Sequence, residues 1–324
     1  MRILVTGGAG YIGSVLVPLL AEHGYDVVVA DTLWFGNHLP KEIPVRQSEI
    51  FDLQEKDLSG FDQVIFLGGL SNDPMAEFSP ALNFRLNGAL PSYLAYTAKR
   101  AGVKRFIYAS SCSVYGYTVE ELYDEDSPVT CGYPYGISKL QGERGALQLR
   151  DDAFSVIALR QGTVNGYSPR MRFDLIINTM YKNAILNRKL TVNNPSIWRP
   201  IIDIRDTSQA FLRAIQANLS ISGSFNVAVD NYTVGQIGDM VKEEMELLTG
   251  EKVAIEILDR QDFRNYKVSC HRAKNVLGFL PRYGVLEIIK SLHAHRDEYG
   301  DFSNDGFYNI ATFKRVFSDM TKAA

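Results

Sequence analysis

Tyr135-Gly136-Ile137-Ser138-Lys139 sets a tyrosine and a lysine four residues apart, and this pair is the part of the chain best suited to chemistry. A tyrosine titrates near ~10 and is ordinarily a poor base at neutral pH. On a helix the lysine lies one turn on, on the same face. Its positive charge favours the phenolate, so the tyrosine exchanges protons near neutrality. A serine-rich segment, Ser110-Ser111-Cys112-Ser113-Val114-Tyr115-Gly116, precedes the pair. With a hydride acceptor beside it, such a base removes a proton and a hydride from an alcohol.

The start of the chain indicates the acceptor. Gly7-Gly8-Ala9-Gly10-Tyr11-Ile12-Gly13 follows an apolar run and opens a helical pattern. Gly7, Gly10 and Gly13 permit a tight turn, a close backbone approach to a pyrophosphate and close helix–strand packing. Tyr11 and Ile12, at the helix start, offer free N–H groups to the anion. Asp31 ends the next apolar run. An acid there accepts hydrogen bonds from the ribose hydroxyls and repels a 2′-phosphate, which favours NAD over NADP. Two further contacts are expected: Asp52-Leu53 near the adenine, and Leu67-Gly68-Gly69, where small residues let the backbone approach a ligand.

A regular scaffold must hold these residues. Apolar runs predict strands at 3–6, 26–30, 44–48, 63–67, 105–109 and 155–160. Helices are predicted at about 11–23, at about 81–101 and from Tyr135 to about 150, with Gly24 and Gly102 ending the first two. Continuous apolar runs are strands buried on both faces, and strand–helix alternation predicts a parallel sheet with helices on both sides. Past 160 the pattern changes to a loop at 167–172, helices at about 173–186, 206–216 and 234–249, an Asn-rich turn at 193–195 and a strand at 252–257. A strand near 225–229 returns to the first sheet, and the polar, aromatic end of the chain reads as a helix plus a tail. The expected division is a cofactor-binding domain at 1–165, with returning segments near 200–230, and a mainly substrate-binding part at 166–324.

Bulk properties narrow the setting. The 324 residues carry a net charge of -3, without the basic footprint of a nucleic-acid binder. No apolar run reaches the ~18 residues of a membrane helix. The chain begins with a strand rather than a basic segment and an apolar h-region, which argues against a secretory signal. Cys112, Cys131 and Cys270 are scattered, which fits small thiols in a reducing, cytoplasmic compartment. The five histidines are dispersed, and His293 and His295 do not face one ligand on a helix, so no metal site is expected.

In combination the motifs resemble the extended short-chain dehydrogenase/reductases, in the NAD-dependent epimerase/dehydratase family that acts on nucleotide sugars. The resemblance covers nearly the whole chain. It rests on Gly7 to Gly13, Asp31, Ser111 with Val114-Tyr115-Gly116, Tyr135 with Lys139, and Arg199-Pro200-Ile201-Ile202-Asp203-Ile204-Arg205-Asp206. It implies an α/β fold, a doubly wound Rossmann sheet with a smaller C-terminal α/β substrate domain. It implies Tyr135 as the base, Lys139 on the nicotinamide ribose, Ser111 on the reacting hydroxyl, Ser110 beside the cofactor and Asn87 as the helix asparagine that organises the site. Arg199 matches an arginine that grips the substrate diphosphate, a bidentate task suited to a guanidinium. A homodimer is implied through helices near 90–101 and 135–150, with Leu94, Ala98, Leu140 and Leu147 as candidates for its face.

Two departures bear on the reaction. Dehydratases of this family carry Asp and Glu where this chain has Cys112 and Ser113, facing the substrate, which argues against water elimination. Thr163 replaces the family's substrate-contacting asparagine. The segments Leu70-Ser71-Asn72-Asp73-Pro74, Ser168-Pro169-Arg170-Met171-Arg172 and Arg264-Asn265-Tyr266-Lys267-Val268 resemble a narrower subgroup of polysaccharide-pathway enzymes that includes a GDP-heptose 4-dehydrogenase. Ser71 and Asn72 are candidates for the sugar pocket or, equally, for capping a helix at Pro74, and Arg170, Arg172 and Arg264 for nucleotide or phosphate contacts. The leading expectation is oxidation at C4 of a nucleotide-diphosphate sugar followed by re-reduction, a 4-epimerase. Release of the ketone, a net 4-dehydrogenase, requires the same first step. A non-catalytic NAD-binding protein and a reductase of small ketones are the alternatives outside this chemistry.

Overall fold

The computed structural model describes residues 1–259 and 264–322. Its strands in chain order are β1 (Arg2–Thr6), β2 (Asp26–Asp31), β3 (Val45–Gln47), β4 (Gln63–Phe66), β5 (Arg105–Ser111), β6 (Tyr117–Tyr123), β7 (Ser155–Gln161), β8 (Thr163–Asn165), β9 (Lys189–Asn193), β10 (Trp198–Asp203), β11 (Gly223–Val227), β12 (Asp230–Thr233), β13 (Ala254–Leu258) and β14 (Asn265–Val268). Seven form one parallel sheet in the order β11-β7-β5-β4-β1-β2-β3. This is the doubly wound Rossmann arrangement, and its strand order reverses between β1 and β4, where such sheets take their ligands.

Alternation along each strand feeds two cores. Ile3 and Val5 join Ile65, Ile107 and Leu159 on one face. Leu4 joins Val64, Phe66, Phe106 and Val156 on the other. A third apolar cluster, containing Phe173, Ile177, Leu190, Ile237 and Ile289, fills the C-terminal half. Tyr11 belongs to that cluster although it lies on the Gly-rich turn. Its hydroxyl donates to the Gly166 carbonyl at 2.6 Å, and Ser168 Oγ donates back to the Tyr11 carbonyl at 2.8 Å. The turn is therefore tied to the second half of the chain.

Several elements differ from the expectations. The first helix runs Gly13–Glu22, because the turn holds residues 10–12 out of it. The helix expected over 81–101 is Pro80–Asn83, a π-helical stretch Phe84–Ala89, and Leu90–Arg100. The helix expected over 173–186 begins at Ile176. Strands β8, β10 and β12 form a small sheet, β9 pairs with β13, and β14 pairs with β6. Of these, β13 overlaps the strand expected at 252–257, and β8, β12 and β14, of three or four residues, are too short to show a period in the sequence. Leu94 and Ala98, expected on a dimer face, are fully buried in the monomer core, and Tyr93 and Tyr96 are the exposed aromatic side chains of their helix.

The helix that carries Tyr135 runs Pro134–Leu147, with proline in its first turn, where no N–H partner is lost. Its three glycines each cost helix propensity. Their role is contact. A Cβ on Gly142 would lie 2.2 Å from the Asn87 carbonyl, and one on Gly136 would lie 2.7 Å from the Ser113 carbonyl. From the same helix Glu143 pairs with Arg160 at 2.6 Å and accepts from Ser110 Oγ at 2.5 Å and Ser224 Oγ at 2.8 Å, all within the core. Backbone contact and a buried ion pair thus fix the helix against β5, β7 and β11. Helix propensity alone gives Gly142→Ala a gain of about 1 kcal/mol. The contact with Asn87 predicts the opposite sign, a lowered urea midpoint, and a raised midpoint would contradict this packing.

Candidate functional site

One cleft of about 560 Å³ opens at the ends of the central strands. The Gly-rich turn and residues 67–69 meet across it at the switch point. Gly7 has φ +73°, and a Cβ there would lie 2.5 Å from the Gly68 nitrogen. A Cβ on Gly13 would lie 2.1 Å from the Gly8 carbonyl. Side chains at these positions would fill the space a pyrophosphate needs or push the helix start away from it. Asp31 accepts from Ala9 N at 2.9 Å and from Leu33 N at 2.8 Å. It therefore shapes the turn as well as facing the cleft, and burial raises its pKa.

Ser111, Tyr135 and Lys139 line the cleft together. Ser111 hydrogen-bonds the Tyr135 hydroxyl and accepts from Ser113 Oγ at 2.9 Å. Lys139 Nζ donates to the Ala109 carbonyl at 3.0 Å and lies 5.8 Å from the centre of the Tyr135 ring. Burial lowers the Lys139 pKa to about 7. Burial raises the Tyr135 pKa and the Asp73 charge adds to this, while Arg172 and the Ser111 hydrogen bond act the other way. Arg172 and Lys139 are the cations near Tyr135, and the Arg172 charge favours its phenolate.

Most of the candidate residues reach the cleft. Gly10, Ile12, Leu67, Gly69, Ser71, Asn72 and Thr163 line it. Arg199 and Arg264 are joined, Arg199 donating to the Arg264 carbonyl, and the Arg199 guanidinium lies 6.0 Å from the centre of the Tyr266 ring. Arg264 Nη1 is 2.7 Å from Asp73 Oδ2. Arg172 is paired twice with Asp174, at 2.8 and 3.1 Å.

Other candidates fall elsewhere. The Cys112 thiol is buried and donates to the Arg160 carbonyl, leaving Ser113 as the member of that pair on the cleft. Asp52 and Leu53 are turned off the wall by a 3-10 turn, Ile50–Asp52, and Glu49 and Ile50 take their place. Asn87 lies beneath the wall, donating to the Leu70 carbonyl at 2.9 Å, with its Oδ1 2.1 Å from where a Gly69 Cβ would sit. It shapes the loop rather than facing a ligand, and the π-helical stretch supplies the extra residue that brings it there. Ser110 reaches the cleft, but its hydroxyl is committed to Glu143. Arg170, expected with the phosphate-binding arginines, stands at the other end, 3.7 Å from the centre of the Phe35 ring and within electrostatic reach of Asp31.

Asp73, Asp174, Tyr266 and Asn309 also line the cleft, and the sequence does not single them out. Asp73 and Tyr266 lie within the segments Leu70–Pro74 and Arg264–Val268, close to Asn72 and Arg264. Asn309 lies in the terminal stretch, where no period is readable.

The residues present fit NAD. A glycine cradle meets a helix start, an acid stands at the end of β2, and Arg170 carries a buried Nε that has no partner. Comparison with known proteins agrees. A sequence model of the NAD dependent epimerase/dehydratase family matches residues 3–228. The UDP-glucose 4-epimerase of Corynebacterium glutamicum is 27% identical over 94% of this chain and 98% of its own length. The dTDP-glucose 4,6-dehydratase of Streptomyces niveus is 27% identical over 92% of this chain and 93% of its own. Among solved structures, MoeE5 in complex with UDP-glucuronic acid and NAD superimposes with a TM-score of 0.81 at 27% identity, covering 92% of this chain and 100% of its own.

The charges around Tyr135 predict opposed effects on pH dependence. Asp73→Asn removes an anion that holds the phenol proton, so the rising limb of kcat/KM moves to lower pH. Ser111→Ala removes a hydrogen bond that favours the phenolate, so the limb moves to higher pH. Unmoved limbs in both variants would contradict Tyr135 as the titrating group.

Proposed function

Because the chain belongs to the NAD dependent epimerase/dehydratase family, and is an NAD-dependent enzyme of the extended short-chain dehydrogenase/reductase type, we propose that its cleft interconverts C4 epimers of a nucleoside-diphosphate sugar. The observation that carries this reading is the shared wall of Tyr135, Ser111, Arg199 and Arg264. One end holds a proton-transfer pair and the other holds guanidinium groups suited to a diphosphate.

In this reading Arg199 and Arg264 grip the diphosphate and place the sugar C4 hydroxyl against Ser111 and Tyr135. The Tyr135 phenolate oxygen takes the hydroxyl proton, and the Ser111 hydroxyl orients the same oxygen of the substrate. Bound against the glycine cradle, NAD supplies the acceptor and donor of the C4 hydride. Rotation of the 4-keto sugar about its link to the diphosphate would present the other face to the returning hydride, and Tyr135 gives its proton back to the new C4 oxygen. Elimination of water requires a further acid and base. The positions that carry them in dehydratases hold Cys112, buried on the Arg160 carbonyl, and Ser113, bonded to Ser111. In this reading residues 1–165 and the returning stretch 200–230 hold the cofactor, and 166–324 mainly hold the substrate, in a cytoplasmic setting.

We also infer a homodimer. Phe84, Tyr93, Tyr96 and Ile137 are exposed on two helical segments that pack together, Phe84–Arg100 and Pro134–Leu147. A second copy of the same face would cover this patch. Tyr96→Glu is expected to convert a dimer to a monomer in analytical ultracentrifugation, and a wild-type monomer would contradict the inference.

Product analysis with a panel of nucleotide sugars tests the reaction. Inversion at C4 with no net change in NAD supports the epimerase. NAD consumed in proportion to product marks a net 4-dehydrogenase, and no oxidation of any nucleotide sugar would overturn both. Tyr135→Phe should retain NAD yet lose about 10²–10⁴-fold in turnover, the usual worth of a positioned acid–base group. Near-normal turnover in that variant would remove Tyr135 from the mechanism.

A further inference from the structure

The end of the chain reaches the cofactor half of the cleft. Helix Asn309–Lys322 begins with Asn309, which is 4% exposed and lines the cleft. Its side chain is used in both directions. Nδ2 donates to Ser71 Oγ at 2.5 Å, and Oδ1 accepts from Arg170 Nη2 at 2.5 Å. Its backbone N–H reaches Asp174 Oδ2 at 3.3 Å. One residue therefore joins the segment after β4 to the segment after β8. A turn further along, Phe313 is fully buried against Leu70 and Met75. Its ring lies 5.9 Å from Trp34 and 5.8 Å from Phe78. Trp34 and Phe35 belong to the loop after Asp31, which the Asp31 carboxylate itself shapes by accepting from Leu33 N.

Arg170 is the group this arrangement presents. It is 2% exposed, stacked on Phe35, and held by Asn309, with its Nε unpartnered. A desolvated guanidinium normally finds an anion. Arg172 beside it has Asp174, and Arg264 has Asp73. Asp174 and Asp31 lie within electrostatic reach of Arg170, but Asp174 is bonded to Arg172 and Asn72, and the two oxygens of Asp31 serve Ala9 and Leu33. The glycine turn that expects a pyrophosphate is on the same wall.

We propose that Arg170 is a ligand of an anionic oxygen on the adenosine half of the bound NAD, and that Asn309, from the C-terminal helix, is the positioning residue that holds it there. The proposal rests on the assignment of this cleft to NAD. It extends the cofactor site beyond residues 1–165 and gives the end of the chain a task. The helix clasps the loop after β2, the segment after β4 and Arg170 around one end of the cofactor, so NAD leaves only when the clasp opens. A cofactor retained between turnovers suits a reaction that returns its hydride to the substrate.

The test is the dissociation rate of protein-bound NADH, followed by its fluorescence as excess NAD displaces it, alongside the thermal melting point of each variant. Asn309→Ala frees Arg170 and is expected to speed release about tenfold, the scale of one charge-assisted hydrogen bond. Asn309→Asp sets a carboxylate on Arg170 in competition with the NAD oxygen and is expected to speed release as well, with the melting point held. Arg170→Gln is expected to speed release at least as much as Asn309→Ala. Wild-type release from any of the three variants would overturn the proposal. Failure of the wild-type protein to bind NADH at all would instead overturn the assignment of the cleft to NAD.

Discussion

The site depends on backbones that approach where no Cβ fits. At the switch point, Gly7 and Gly68 leave no room for a side chain between the turn after β1 and the segment after β4. Beneath them, Gly142 brings the Tyr135 helix against the Asn87 carbonyl, and Asn87 in turn supports the Leu70 carbonyl. The glycine turn and the Tyr135 helix are thus held through one run of close contacts. Glycine costs roughly 1 kcal/mol per helical position relative to alanine, so three in one helix mark a geometry that packing imposes on propensity.

Charge is ordered along the cleft. Arg199 and Arg264 occupy one end, Arg170 and Asp31 the other, and Asp73, Arg172 and Lys139 surround Tyr135 between them. The Tyr135 phenol feels an anion and a cation at once, and burial opposes its ionisation. Lys139 is buried and bonded to a carbonyl rather than a carboxylate, and burial lowers its pKa. The arrangement makes proton transfer sensitive to which charges a bound molecule brings, because the desolvated groups have little water to screen them.

The parts legible in the sequence were those written in local chemistry. The glycine turn, the apolar strands and the Tyr135 helix each declare themselves through residue type and spacing within about ten positions. Arg199, Arg264, Ser111 and Thr163 reached the cleft because short segments fix their position relative to a strand end. What the sequence could not show was decided by distant contact. Cys112 and Ser113 are neighbours, yet burial takes one thiol to the Arg160 carbonyl and leaves the other side chain on the cleft. Arg170 and Arg172 are two residues apart, yet Phe35 and Asn309 draw the first to the cofactor end. Leu94 and Ala98 present an apolar helix face that serves the monomer core. Asn309 had no signal at all, since its function lies wholly in partners far away in the chain, Ser71 and Arg170.

The proposed reaction removes a hydride from C4 of a nucleotide sugar and returns it to the same carbon. Substrate carrying deuterium at C4 can be turned over by the purified protein and followed by NMR. An inverted C4 that keeps its deuterium is expected. Loss of the label to solvent, or turnover that leaves the C4–deuterium bond untouched, would contradict it.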